Sequence, residues 1–100
     1  MNTIQLNGTP HKIRFNFNAL RDFKTITGES ALTVNLDMES IFILAYVGMK
    51  EARRIECKAD SKENDFKLEL EDLGEMLALS DSAKVTEIFI ESFQTEKPKK

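Results

Sequence analysis

Two short segments near the start of the chain place an apolar side chain at every second position. They cover residues 3–7 and 12–16, and their apolar positions are Ile4, Leu6, Ile13 and Phe15. A period of two predicts strands with one buried face. The intervening residues 7–10 read Asn-Gly-Thr-Pro, and Asn-Gly between alternating segments indicates a hairpin turn. Because an isolated hairpin is only marginally stable in water, we expect it to dock on helices.

A helical repeat of apolar residues follows the hairpin and predicts a short helix over residues 19–26. Asn16 and Asn18 are both suitable N-caps for it. Gly28 stands where the glycine that follows a helix is usually found. Residues 29–36 are expected to form a connector.

The longest predicted helix covers about residues 38–55, with Asp37 as its N-cap. Its first half is apolar nearly all round, which is typical of a central helix or of one that faces a partner. Gly48 in its interior costs about 1 kcal/mol relative to alanine, and this favours either a close helix crossing or a weak point in the helix at that residue.

The second half of the chain begins with a charged loop over residues 58–65. Apolar and polar residues then alternate over 66–70, which favours a short extended segment. A helix is predicted over 71–78, and Ser80 or Asp81 is expected to cap a last helix that ends near residue 94. These elements predict an α+β fold, mostly helical, with an N-terminal β-hairpin packed on about four helices. Residues 1–94 are expected to form a single domain, with 95–100 as a flexible tail.

Composition narrows the function classes. The 100 residues carry a net charge of −3, and residues 58–93 hold four basic and ten acidic residues, which argues against nucleic-acid binding through a basic face. The longest apolar run, residues 41–47, is too short for a membrane span. The start lacks a leader pattern, and the only cysteine, Cys57, has no disulfide partner. We therefore expect a cytoplasmic protein.

No residue pattern predicts catalysis. His11 is the only histidine, and a general base needs neighbouring partners that the local sequence does not offer. No Cys/His pair has zinc spacing, the four glycines are scattered, and the acidic residues of 69–75 lack the spacing of a calcium loop. The sequence predicts a non-enzymatic protein without cofactor or metal.

Seven phenylalanines and four methionines leave two interpretations open. They either fill the core, or some form an exposed adaptable surface that binds a partner or another copy of the chain.

The order of the segments resembles that of the tail assembly chaperones of long-tailed bacteriophages and prophages. The resemblance covers roughly residues 2–94 and lies in order and spacing rather than in one motif. It is carried by Arg14-Phe15-Asn16-Phe17-Asn18-Ala19-Leu20-Arg21-Asp22-Phe23, Thr27-Gly28, Leu44-Ala45-Tyr46-Val47-Gly48-Met49-Lys50 and Leu70-Glu71-Asp72-Leu73-Gly74-Glu75-Met76-Leu77. The charged loop at 58–65 is longer than is usual in that family.

The resemblance implies a chaperone that binds the tape measure protein and tail tube subunits while the phage tail is built, in the cytoplasm of a bacterial host cell. A helical segment of the tape measure protein would dock between helices through apolar anchors. The residues expected to line that groove are Phe42, Tyr46, Met49, Phe89 and Phe93. Self-association is a further expectation. The alternative function is a small regulatory or adaptor module, similar to an anti-repressor or an antitoxin.

Overall fold

The computed structural model describes residues 2–6, 8–32 and 37–95, with side chains as far as Ser92. Within these residues it contains one antiparallel hairpin followed by four α-helices, which confirms the predicted α+β, mostly helical fold. The elements are β1 (Asn2–Leu6), β2 (Thr9–Ile13), α1 (Phe17–Thr27), α2 (Met38–Ala59), α3 (Leu70–Met76) and α4 (Ser82–Thr95). Helix α2 is central, since it contacts β2 and the other three helices.

The hairpin is confirmed, but its second strand lies earlier than residues 12–16. Leu6 pairs with Thr9 across a two-residue turn, and the register continues to the pair of Asn2 with Ile13. Gly8 has a φ of 77°, as such a turn requires, while Asn7 lies outside the described residues. The tight turn starts β2 at Thr9, and the sheet ends at Ile13.

The residue that follows β2 forms a backbone hydrogen bond with the middle of α2. The backbone N–H of Arg14 donates to the carbonyl oxygen of Gly48 at 3.0 Å. Ile13 and Phe15 can approach α2 this closely because residue 48 is glycine. A Cβ at this position would lie 2.6 Å from Ile13 Cγ1 and 2.9 Å from Phe15 Cε1, which is too close. Gly48 therefore marks a close contact, but with the hairpin and the residues that follow it rather than with another helix as predicted.

Two of the predicted N-caps are confirmed by hydrogen bonds. The Oδ1 of Asn16 accepts from the backbone N–H of Ala19 at 3.1 Å and starts α1. The carboxylate of Asp37 accepts from the N–H of Ser40 at 2.8 Å and starts α2, which lowers the Asp37 pKa. Gly28 ends α1 with a φ of 83°, as predicted. Helix α2 extends one turn beyond its predicted end, to Ala59.

The extended segment predicted at 66–70 pairs with no strand among the described residues. Phe66 and Leu68 are half-buried against the core while Lys67 and Glu69 are exposed, so the alternation reflects one-sided burial of an irregular segment. Helix α3 follows directly at Leu70.

Helix α4 begins at Ser82, directly after Asp81, which agrees with the predicted start of the last helix. A 3₁₀ turn over Leu79–Asp81 leads into it, and the carboxylate of Asp81 accepts from the backbone N–H of Ala78 at 2.8 Å. The hydrogen bond of the Asp81 side chain therefore stabilises the 3₁₀ turn that precedes α4. None of the described helices is both long and apolar enough to cross a bilayer.

Candidate functional site

Two of the expected groove residues, Met49 and Phe89, contribute to the core. Met49 is 5% exposed and Phe89 is 4% exposed. The ring of Phe89 meets the ring of Phe15 edge to face, with centroids 5.2 Å apart. In this conformation these two side chains offer a partner almost no surface.

Phe42 and Tyr46 lie on one face of α2 and are half-buried. The Tyr46 ring packs edge to face on Phe66, with centroids 5.7 Å apart. The Phe42 ring lies beside Gly74 of α3. Burial raises the pKa of the Tyr46 hydroxyl, with smaller contributions from the charges of Glu69 and Asp22. The segment from Phe66 to α3 thus covers part of this face.

Phe93, the fifth expected groove residue, belongs to α4, but its side chain lies outside the described residues. The structure therefore brings Phe42 and Tyr46 together on α2 and places Met49 and Phe89 inside.

Other apolar side chains are exposed among the described residues. The large ones are Phe17, Ile26, Leu32, Met38, Leu79 and Ile90. Several of them surround the first turns of α2, where two concavities open on either side of the helix.

The first concavity lies between the start of α2 and α4, and we call it the α2–α4 groove. It has a volume of about 500 Å³ and is mostly apolar. Its lining consists of Ile41, Ser82, Ala83, Thr86, Glu87, Ile90 and Glu91. Ile90 is 49% exposed, and Glu87 forms an ion pair with Lys84 at 3.2 Å. The groove therefore combines an apolar floor with a carboxylate rim.

The second concavity lies on the α1 side of α2. It has a volume of about 340 Å³ and is more polar than the α2–α4 groove. It is lined by Ile26, Thr27, Asp37, Glu39, Ser40 and Ile43. Asp37 and Ser40 already bond each other as the cap of α2, so fewer polar groups remain for a ligand.

Ile90 was not among the predicted groove residues. Among the described side chains of α4, the buried ones are Val85, Ile88 and Phe89, which recur at helical spacing, and Ile90 lies about 100° from Phe89 around the helix. Its position could have indicated exposure, because an apolar residue just outside the buried stripe of a helix is not needed to fill the core.

A buried carboxylate, that of Glu51, lies near the middle of α2. Glu51 is 2% exposed and accepts from Arg54 at 2.6 and 2.8 Å, from Asn16 at 2.7 Å and from Asn18 at 3.4 Å. These bonds, led by those from Arg54, lower its pKa to about 2. The network joins α1 to α2. Each of its side chains is hydrogen-bonded to another member, so we interpret it as a structural contact between the two helices.

The charged loop is tied to α2 by a second network. The guanidinium of Arg53 donates to both carboxylate oxygens of Asp65, at 2.6 and 2.8 Å. The buried Cys57 thiol donates to the same carboxylate at 3.5 Å. The pKa of Asp65 is held below its usual value, chiefly by Arg53. These bonds fix the segment that leads to Phe66.

His11 lies in a concavity of about 310 Å³ between β2 and α2, with Met49 and Phe66 in its wall. The charged groups beside it are paired, since Lys12 bonds Glu56 and Arg53 bonds Asp65. Within the described part of the chain, no three His, Cys, Asp or Glu side chains are arranged to hold a metal ion.

Comparison of the chain with protein family models, with curated proteins and with solved structures finds no match.

Proposed function

We propose that this chain is a non-enzymatic tail assembly chaperone that holds an amphipathic helix of the tape measure protein in the α2–α4 groove. The order and spacing of its segments, which resemble that family, support the choice of partner. The groove supports the mode of binding, because a shallow apolar surface along α4 can receive the apolar side chains of a second helix.

The observation that carries the proposal is the half-exposed Ile90 beside Ile41 on the apolar floor. A bound helix would cover this surface, which the chain itself leaves in water. The carboxylates of Glu87 and Glu91 at the rim favour a partner with basic residues next to its apolar anchors. The acidic second half would also keep the chaperone soluble while it presents an apolar surface. Recruitment of tail tube subunits would use another surface.

The test is co-expression with the tape measure protein, followed by capture through a tag on this chain. Ile90→Asp places a charge on the groove floor at an exposed position, so the fold should survive. We expect capture to fall at least about 10-fold, since a buried unpaired charge costs several kcal/mol.

Phe17→Asp is the matched control, because Phe17 is 85% exposed and begins α1 beside Asn16. Asn16 contacts α2 at Glu51, about 15 Å along the helix from Ile41. This variant should capture the partner normally, and circular dichroism melts should show both variants folded. Equal capture of the tape measure protein by the two variants would show that it does not bind in the α2–α4 groove. Failure of the wild-type chain to capture the protein would instead favour the regulatory or adaptor module.

A further inference from the structure

The outer edge of β1 carries backbone groups without a partner. Gln5 pairs with Pro10, which has no N–H, so the pairs that exchange hydrogen bonds are Leu6–Thr9, Ile4–His11 and Asn2–Ile13. The N–H and C=O groups of Thr3 and Gln5 consequently point away from β2. Among the described residues, no hydrogen bond reaches these groups.

The two edges of the hairpin differ in the features that prevent strand pairing. On β2 the outward positions are Pro10, which lacks a donor, and the charged Lys12. Proline and lysine are the residues that proteins commonly use to block an exposed edge. On β1 the outward positions are the uncharged Thr3 and Gln5, and the whole strand, NTIQL, is without charge or proline. The residues of β1 therefore permit pairing at its edge, although α4 also contacts this strand, whereas Pro10 and Lys12 oppose pairing at the edge of β2.

We infer that two copies of this chain pair through β1 in an antiparallel arrangement centred on Ile4, which gives a four-stranded sheet. In this register Thr3 of one copy lies opposite Gln5 of the other, and both are outward-facing, so each such pair exchanges two hydrogen bonds. The two Ile4 residues stand opposite each other, but their side chains are already buried in their own copies, so the pairing rests on the backbone bonds of Thr3 and Gln5.

A second copy fits this edge because the strand is complementary to itself. The antiparallel register places no like charges opposite each other, and a two-fold axis at Ile4 uses the same surface on both copies. The assembly also closes, since the outer strands of the four-stranded sheet are then the two β2 strands with Pro10 and Lys12. This inference does not depend on the proposed chaperone function, and the α2–α4 groove belongs to other elements.

Light scattering coupled to size-exclusion chromatography tests the inference. The wild-type chain should elute at twice its mass of 11.4 kDa. Thr3→Lys with Gln5→Lys places lysines opposite lysines, and Thr3→Glu with Gln5→Glu places carboxylates opposite carboxylates. Each double variant should weaken dimerisation at least about 10-fold, because like charges directly opposite repel. An equimolar mixture of the two should restore the dimer, now as a heterodimer.

The matched control adds two lysines at exposed positions away from the edge, Thr25→Lys with Ser80→Lys, and should remain dimeric. Circular dichroism establishes that every variant is folded. A wild-type chain that is monomeric at all concentrations would overturn the inference, and so would a dimer that persists in the Thr3→Lys, Gln5→Lys variant. A mixture of folded, oppositely charged variants that stays monomeric would overturn the pairing through the edge of β1.

Discussion

The amide nitrogen of the Asn16 side chain lies 2.7 Å from the carboxylate of Glu51, while the amide oxygen of the same side chain caps α1. One asparagine thereby starts the first helix and fastens that helix to the middle of α2. Since Glu51 is buried, its charge depends on donors of this kind.

Replacement of Asn16 by alanine should therefore have two effects. The change removes an N-cap, worth about 1 kcal/mol, and a hydrogen bond to a charged group, worth about 1.5 kcal/mol or more. We expect the free energy of unfolding to fall by about 2 to 4 kcal/mol, measured by urea denaturation. Asn18→Ala is the control, because its bond to Glu51 is long at 3.4 Å, and it should cost less than about 1 kcal/mol. Equal losses for the two variants would contradict the double role of Asn16.

The lowered pKa of Glu51 predicts sensitivity to acid. Its pKa falls from an ordinary 4.5 to about 2 on folding, so its contribution to stability is complete above pH 4.5 and is lost as the pH falls towards 2. Glu56 and Asp65 also have lowered pKa values and act in the same direction. The contribution of Glu51 is therefore the difference between the wild-type and Glu51→Gln curves of unfolding free energy against pH. We expect this difference to shrink by about 1 to 3 kcal/mol between pH 5 and 2, and parallel curves would exclude the effect.

Two glycines provide a matched pair for the packing argument. Gly48→Ala would place a Cβ 2.6 Å from Ile13, so the hairpin must shift, and we expect a loss of about 1 to 3 kcal/mol despite the better helix propensity of alanine. Gly74→Ala would place a Cβ 3.8 Å from the ring of Phe42, which is an ordinary contact, and should gain up to about 1 kcal/mol. Thermal melts of the two variants measure both signs. A Gly48→Ala variant as stable as Gly74→Ala would show that the hairpin does not pack closely on α2.

The parts of the fold that could be predicted from sequence are those fixed by neighbouring residues. Asn16, Asp37 and Gly28 act on backbone groups within four residues of themselves, so their signals were readable. Where β2 starts, and whether residues 66–70 form a strand, depend on which strand is available as a partner. Alternation alone cannot give that information, because one-sided burial of an irregular segment produces the same pattern.

In the candidate site, too, some features follow from the local sequence and others depend on contacts between distant parts of the chain. Met49 and Phe89 belong to the apolar stripes that define their helices, and such stripes are buried whenever another element covers them. Ile90 lies outside its stripe, so its exposure follows from the stripe once α4 is oriented. The side of α4 that faces the start of α2 depends on contacts between distant parts of the chain, and no local pattern encodes it.

The hydrogen bond from Arg14 to Gly48 has a consequence for the order of folding. The hairpin is local in sequence and would ordinarily be an early element, but β2 packs on α2, the backbone N–H of Arg14 just after β2 donates to α2, and β1 contacts α4. A hairpin of this size does not persist alone in water. We therefore expect the hairpin to become stable only after α2 has been synthesised and has docked on it, so that strand pairing and helix docking form one cooperative event.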